Sequence, residues 1–124
     1  MAHVGKVQLL ITFVVPAAKV ADVDRLVASH GKWMADTHPK SGPTALLSYD
    51  FSKGPDLSNP MNPSSAATGS TRYVLSEVYD SPAGIAAHWA EAQKSWSDFP
   101  AMAEIIGAGQ PQTLHAGAIA QSLW

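Results

Sequence analysis

The strongest local signals in the sequence lie in residues 73–89, Tyr73-Val74-Leu75-Ser76-Glu77-Val78-Tyr79-Asp80-Ser81-Pro82-Ala83-Gly84-Ile85-Ala86-Ala87-His88-Trp89. Residues 72–79 alternate between two faces and are rich in β-branched and aromatic side chains, which is typical of a strand. Ser81 is a favoured N-cap and Pro82 a favoured first helical residue. Apolar residues then recur at helical spacing. The stretch therefore predicts a strand followed at once by a helix that ends near residue 97.

The rest of the chain predicts two similar halves around this stretch. Residues 7–15 alternate as a strand, residues 17–36 have the apolar stripe of an amphipathic helix, and residues 44–51 return to strand character. After the central helix, we expect a short helical turn at 101–106 and a last strand at 114–121. The order β-α-β-β-α-β is that of a ferredoxin-like α+β fold with an antiparallel four-stranded sheet. We predict a single domain over residues 1–124.

The segment 52–71 is rich in glycine, proline, serine and asparagine and has almost no hydrophobic periodicity. Long connections of this kind inside a compact domain commonly act as lids or arms. We therefore expect a long loop insertion at 52–71.

The composition favours a second copy of the chain as a partner. Hydrophobic residues make up 46% of the sequence and charged residues only 15%, whereas soluble domains carry about 25% charged residues. The predicted strands also place apolar residues on both faces, and the second face is marked by Leu10, Val14, Leu46, Val74 and Val78. Because two helices cover one face only, we predict a homodimer that forms through sheet-to-sheet packing.

Composition also argues against several other partners. A net charge of −2 without a basic stripe disfavours nucleic acid, and no apolar run reaches the ~18 residues of a membrane span. Residues 7–15 after Lys6 resemble a short signal peptide, so secretion stays open as an alternative, but we expect a cytoplasmic protein.

Cofactor and metal sites have no linear signature in this sequence. The absence of cysteine removes disulfides, thiolate metal sites and cysteine nucleophiles. The sequence has no HExxH motif, no histidine pair at i and i+4, and no glycine-rich phosphate-binding motif. We therefore expect no metal and no cofactor.

The spacing within the central stretch resembles the antibiotic biosynthesis monooxygenase-like family of dimeric α+β barrels. It consists of a strand that ends in Glu77-x-Tyr79, a capped turn, and a helix with His88 eleven residues after the glutamate. The resemblance implies a dimeric α+β barrel with a pocket between sheet and helices, and it places Glu77, Tyr79 and His88 near that pocket. This superfamily includes cofactor-free oxygenases, haem-degrading enzymes, small isomerases and proteins with no established reaction, so the resemblance implies the fold more strongly than the activity.

Our leading hypothesis is a cofactor-independent, monooxygenase-like protein that binds a small aromatic or polyketide-like molecule. Histidine supplies a base near neutral pH, so His88 is the candidate general base, with Glu77 to orient it or a pocket proton. The candidate substrate-binding residues are aromatic or could donate a hydrogen bond, and they are Tyr49, Trp33, Tyr79, Trp89 and His30. A cavity more than about 8 Å from His88 would exclude this assignment.

Structural roles remain as alternatives for each of these residues. His88 and Glu77 could pair across a dimer, Tyr79 and the tryptophans could be core, and His30 lies on the apolar stripe of the first helix, as a satisfied core histidine does. His38 precedes Pro39 at a helix end, where it could cap carbonyls. These interpretations favour a non-catalytic, ligand-binding or stress-associated homodimer. A third hypothesis is a haem-binding or haem-degrading protein, although relatives of that kind typically have tryptophan near the position of Tyr79.

Overall fold

The computed structural model describes residues 2–124. Four strands form one sheet in the order β2-β3-β1-β4, and every neighbouring pair is antiparallel. The elements, in chain order, are β1 (Val7–Val15), a 3-10 turn (Ala17–Lys19), α1 (Val20–Thr37), β2 (Leu46–Leu57), β3 (Ala67–Tyr79), α2 (Pro82–Ser95), α3 (Phe99–Ala108) and β4 (Gln112–Ala118). The predicted α+β class and antiparallel four-stranded sheet are confirmed. The sheet is open, with β2 and β4 at its edges.

Strand β1 lies in the interior of the sheet, between β3 and β4, and its alternation between buried and partly exposed residues is complete. Val7, Leu9, Ile11, Phe13 and Val15 are all buried, and the residues between them are partly exposed. The buried set packs against the apolar stripe of α1 and against β3. The helices therefore cover one face of the sheet, which is the face that carries the buried residues of β1.

The prediction of a long loop at 52–71 is wrong. Strand β2 continues to Leu57 and β3 begins at Ala67, so the two strands pair through this segment and only residues 58–66 connect them. Pro55 fits because β2 is an edge strand, where a missing N–H is tolerated. This part of the hairpin is largely exposed on both faces, so hydrophobic alternation is not needed and could not reveal it.

Two further boundaries differ from the predictions. The expected helical turn at 101–106 is a ten-residue helix, α3, and β4 begins at Gln112 and ends at Ala118. Within residues 2–124, no helix is long and apolar enough to cross a membrane.

The prediction that Leu46 lies on the uncovered face is wrong. A bulge between Leu46 and Ser48 pairs Leu46 with Tyr79, and Leu46 packs against the core while Leu47 is exposed. The extra residue in a bulge changes which side chains point to which face, so alternation counted from the sequence is shifted at this end of β2.

The uncovered face of the sheet is mixed in polarity. Leu10, Val14 and Val74 are partly exposed there, as the prediction of an apolar second face requires, whereas Val78, another predicted marker, is buried. Between them, Gln8 Nε2 donates to Ser76 Oγ at 2.9 Å, and Arg72 Nη1 donates to the Thr12 hydroxyl at 3.0 Å. This face therefore carries an apolar patch with internally paired polar groups.

Candidate active site

A cavity of about 270 Å³ lies between the covered face of the sheet and the helices α2 and α3. Its wall is mainly apolar and aromatic, with Ile11, Phe51, Trp89, Trp96, Phe99 and Met102 among its members. The polar side chains that reach it include His30, His88, His115 and Thr113. Apolar cavities with a few converging polar groups are the usual form of a small-molecule site, and this one is slightly smaller than their usual volume of about 300–1,000 Å³.

Glu77 is the most unusual residue behind this cavity because its carboxylate is completely buried. It lies on the covered face of β3, where Leu9 of β1 and Tyr49 of β2 are its partners in register. The Tyr79 hydroxyl donates to Oε1, whereas Oε2 has no hydrogen-bond partner among the described residues. Burial raises the pKa of Glu77 to about 7, and the hydrogen bond from Tyr79 opposes that rise.

His30 approaches Glu77 from helix α1, at the apolar stripe that packs on the sheet. Its Nδ1 lies 2.7 Å from the Tyr49 hydroxyl, and its Nε2 lies 4.0 Å from Glu77 Oε2. Burial lowers the pKa of His30 to about 4, with a smaller contribution from His38. His30 is therefore a neutral imidazole near physiological pH, and its contact with Glu77 is not an ion pair.

His88 approaches the same carboxylate from helix α2. Its Nδ1 lies 3.7 Å from Glu77 Oε1 and 2.9 Å from His38 Nε2. Burial lowers the pKa of His88 to about 3, and His38 and His30 add to that effect. Helix α2 reaches this depth because Gly84, near its first turn, passes close to Tyr79 and the Thr44 backbone.

A chain of hydrogen bonds determines which nitrogen of His88 carries the proton. The Thr37 hydroxyl donates to the Trp33 carbonyl at 2.7 Å, so its oxygen must accept from His38 Nδ1, 2.9 Å away. Burial lowers the pKa of His38, so its ring is neutral near pH 7 and its Nε2 is an acceptor. His88 Nδ1–H then donates to His38 Nε2. The neutral His88 ring is left with a lone pair on Nε2.

The structure divides the predicted site residues into two groups. The first group lines the cavity and consists of His88, His30 and Trp89. A cavity therefore lies next to His88, as its assignment requires. Glu77, Tyr49, Tyr79 and Trp33 stand behind that lining. Tyr49 forms a hydrogen bond with His30, and Tyr79 donates one to Glu77. Trp33 donates to Ser95 Oγ at 3.0 Å, and its ring packs against the rings of His30, His38 and His88. These residues support the cavity-lining groups and do not form the cavity wall.

Sequence reasoning assigned no site role to His38 and underestimated α3. His38 lies just beyond the end of α1, and only the packing of α2 against that end brings it to His88. Helix α3 contributes Phe99, Met102 and Ile106 to the cavity. A usable signal was the apolar character of residues 99–106, in which Glu104 is the single charged residue, because this exceeds what a surface turn needs.

Three buried residues form the one cluster in residues 2–124 that has the composition of a metal site. His30, Glu77 and His88 each offer a ligand atom, and these atoms lie within 4.8 Å of one another. Because the three come from α1, β3 and α2, no linear motif could reveal them.

Comparison with known proteins finds no matching family model, no matching curated protein and no matching solved structure. The resemblance to antibiotic biosynthesis monooxygenase-like proteins therefore stays a prediction.

Proposed function

We propose that the protein is an enzyme that removes a proton from a small, flat aromatic molecule in the cavity and so prepares that molecule for reaction with dioxygen. The observation that carries this proposal is the bare Nε2 of a neutral, buried histidine, His88, in the wall of an aromatic cavity. The family resemblance suggested the same residue on independent grounds.

Burial holds the pKa of His88 at about 3, so the proton that it takes up needs a counter-ion, and Glu77 provides one where its own carboxyl is ionised, above about pH 7. A proton taken up by Nε2 creates an imidazolium whose Nδ1 lies 3.7 Å from Glu77 Oε1. A carboxylate at this distance in a buried site stabilises the positive charge as it develops. The proposed roles are therefore His88 as general base and Glu77 as its counter-ion.

The oxygenation step balances for a phenol or anthrone-like substrate. His88 removes a proton from the activated carbon, and the electron pair of the broken C–H bond is delocalised into the ring and its oxygen. The carbanion transfers electrons to dioxygen and forms a C–O bond, and the resulting peroxide anion takes the proton back from His88 to give a hydroperoxide. Loss of water from this hydroperoxide leaves a carbonyl, so one dioxygen is consumed for each quinone and water formed.

The test uses dihydroxyanthrone as the probe, with oxygen uptake and quinone absorbance as the readouts. We expect the wild-type protein to exceed the uncatalysed rate and His88→Asn to lose at least 100-fold of the enhancement, within the range for a general base. The control is His3→Gln, at a histidine remote from the cavity. A wild-type protein no faster than buffer, or an equally fast His88→Asn variant, would refute the proposal.

Quenching of tryptophan fluorescence by the same probe separates the main alternatives, since Trp89 and Trp96 line the cavity. Binding without turnover would contradict the enzymatic proposal and favour the non-catalytic, ligand-binding hypothesis. A Soret band on titration with haemin would likewise favour the haem hypothesis.

We also propose that two copies pair through the uncovered faces of their sheets to form a dimeric α+β barrel. The patch of Leu10, Val14 and Val74 supports this proposal, because a partly exposed apolar sheet face is stabilised by a cover. Leu114, Leu123 and Trp124 are exposed large hydrophobic residues that a partner could also bury.

A further inference from the structure

We propose that His30, Glu77 and His88 bind one divalent first-row transition metal, of the Zn²⁺, Fe²⁺ or Co²⁺ class, at the edge of the cavity. This inference goes beyond the proposed function, since binding requires no turnover. It concerns a metal-bound form in which His88 is a ligand, whereas the proposed function uses His88 as a base in the metal-free form. It also revises the expectation from the sequence that the protein has no metal site.

The spacing of the three side chains is close to that of a bound ligand set. Nitrogen and oxygen ligands lie about 2.0–2.2 Å from such metals, so two ligands of one ion lie roughly 3–3.5 Å apart. His30 Nε2 is 4.0 Å from Glu77 Oε2, and His88 Nδ1 is 3.7 Å from Glu77 Oε1. Small side-chain rotations therefore suffice to close the site.

Glu77 Oε2 supplies an independent observation. It is a buried side-chain oxygen with no hydrogen-bond partner among the described residues, on a side chain that is fully buried. Buried polar atoms in native proteins nearly always have a partner, and an exception calls for an explanation. A cation held between Oε2 and the neighbouring His30 Nε2 would satisfy this oxygen.

The two histidines are held differently with respect to a metal. A ligating histidine almost always uses its second nitrogen to bond an outer partner, which fixes the ring. His30 bonds Tyr49 through Nδ1, and His88 bonds His38 through Nδ1. His30 Nε2, which faces Glu77 Oε2, is therefore left for the metal, whereas His88 would exchange its bond to His38 for the metal, because Nδ1 is its nitrogen nearest to Glu77.

The ligand set and its surroundings indicate a reactive centre and not only a structural one. Two histidines and one carboxylate are typical of catalytic zinc sites and of non-haem iron sites, which keep a position open. Here both histidines line the aromatic cavity. An ion at this place could therefore bind water, dioxygen or a substrate oxygen from the cavity side.

The experiment titrates Co²⁺ into untagged, chelator-treated protein and follows its visible d–d absorption, with Zn²⁺ as competitor. We expect one ion per chain, displaced by Zn²⁺. Glu77→Gln, which keeps the side-chain shape, and His88→Asn should each weaken binding at least 100-fold. The matched controls are Glu104→Gln and His3→Gln, which alter an exposed carboxylate and a remote histidine and should bind as the wild type does.

Circular dichroism of each variant shows whether it folds, and the wild-type titration tests the proposal even if one variant does not. Absence of a stoichiometric Co²⁺ spectrum, or full binding by folded Glu77→Gln, would overturn the metal site. Failure of the metal site and failure of the proposed function are distinguishable: turnover by chelator-treated protein without Co²⁺ binding refutes only the metal site, whereas Co²⁺ binding without turnover in either form refutes only the oxygenation.

Discussion

Glu77 lies on a strand face whose other buried members on β3 are Tyr73, Leu75 and Tyr79, so its carboxylate meets aromatic and aliphatic neighbours almost everywhere. A charge in such surroundings is costly unless it is compensated. One hydroxyl and two neutral imidazoles are the polar groups that the structure places around it. At the scale of single residues, the site therefore consists of a carboxylate that lacks full compensation and two histidines that are neutral.

The first prediction concerns the pH dependence of stability in metal-free protein. Burial raises the pKa of Glu77 from 4.5 to about 7, so the unfolded chain releases this proton at lower pH than the folded chain does. The contribution of Glu77 to stability is therefore lost as pH rises from about 4.5 to above 7. In Glu77→Gln this loss is absent, so between these limits the wild type should lose roughly 3 kcal/mol relative to the variant.

Urea unfolding of both proteins at pH 5 and pH 8, with chelator present, measures this difference. Glu104→Gln is the control for a carboxylate at the surface of α3. An equal pH dependence for wild type and Glu77→Gln would show that Glu77 ionises as easily in the folded chain as in the unfolded one.

The second prediction concerns the proton positions of His38 and His88. Long-range ¹H–¹⁵N correlation spectra of metal-free protein should show both neutral rings protonated at Nδ1, because Thr37 accepts from His38 and His38 accepts from His88. Thr37→Val removes the acceptor, so His38 should change to the Nε2–H form and reverse its bond to His88. Thr37→Ser should restore the wild-type pattern. Nε2–H rings in the wild type would contradict the chain of hydrogen bonds.

Helix α2 is the element that completes the site, since it carries His88 and Trp89 to the sheet. Its approach depends on Gly84, where an added Cβ would lie 2.7 Å from Tyr79 Cδ1 and 3.1 Å from the Thr44 carbonyl oxygen. Tyr79 is held by its bond to Glu77, so it cannot move away without disturbing the carboxylate. The position of α2 and the environment of Glu77 are therefore coupled.

The third prediction compares two glycines in helices. Gly84→Ala should destabilise the protein by about 1–3 kcal/mol because of overpacking. Gly31→Ala, in α1, meets only Tyr49 at 3.8 Å or more, so it should stabilise the protein by about 0.5–1 kcal/mol through helix propensity. Urea unfolding measures both, and a stabilising Gly84→Ala would show that α2 does not pack this closely.

At the scale of the whole molecule, one sheet face is covered by helices and the other carries a partly exposed apolar patch. The fourth prediction is that the protein is a dimer at micromolar concentration and that Val74→Asp, in the middle of this face, makes it a monomer, because burying an unpaired charge at the interface is unfavourable. Ala87→Lys is the control, since Ala87 is exposed on α2.

Sedimentation velocity or light scattering after size exclusion measures the mass in each case. A monomeric wild type, or a Val74→Asp variant that remains dimeric, would contradict sheet-to-sheet pairing.

Strong local signals predicted most of the fold. The alternation of β1 and of the end of β3, the stripe of α1, and the Ser81-Pro82 start of α2 are properties of neighbouring residues, and each is found in the structure. The hairpin extension through 52–57 and 67–71 escaped prediction, because exposed, glycine- and proline-containing strands are held by pairing with each other and not by a pattern of their own.

Patterns among neighbouring residues were sufficient to predict the order of the main elements, and spacing along the chain identified Glu77 and His88 as candidates. What surrounds these two residues depends on the tertiary structure. Packing of α1, β3 and α2 brings His30, Glu77 and His88 within 4.8 Å, and the end of α1 places His38 against His88. Ligand sets and proton positions of this kind depend on distances between elements far apart in sequence, and those distances are determined by how helices pack on the sheet.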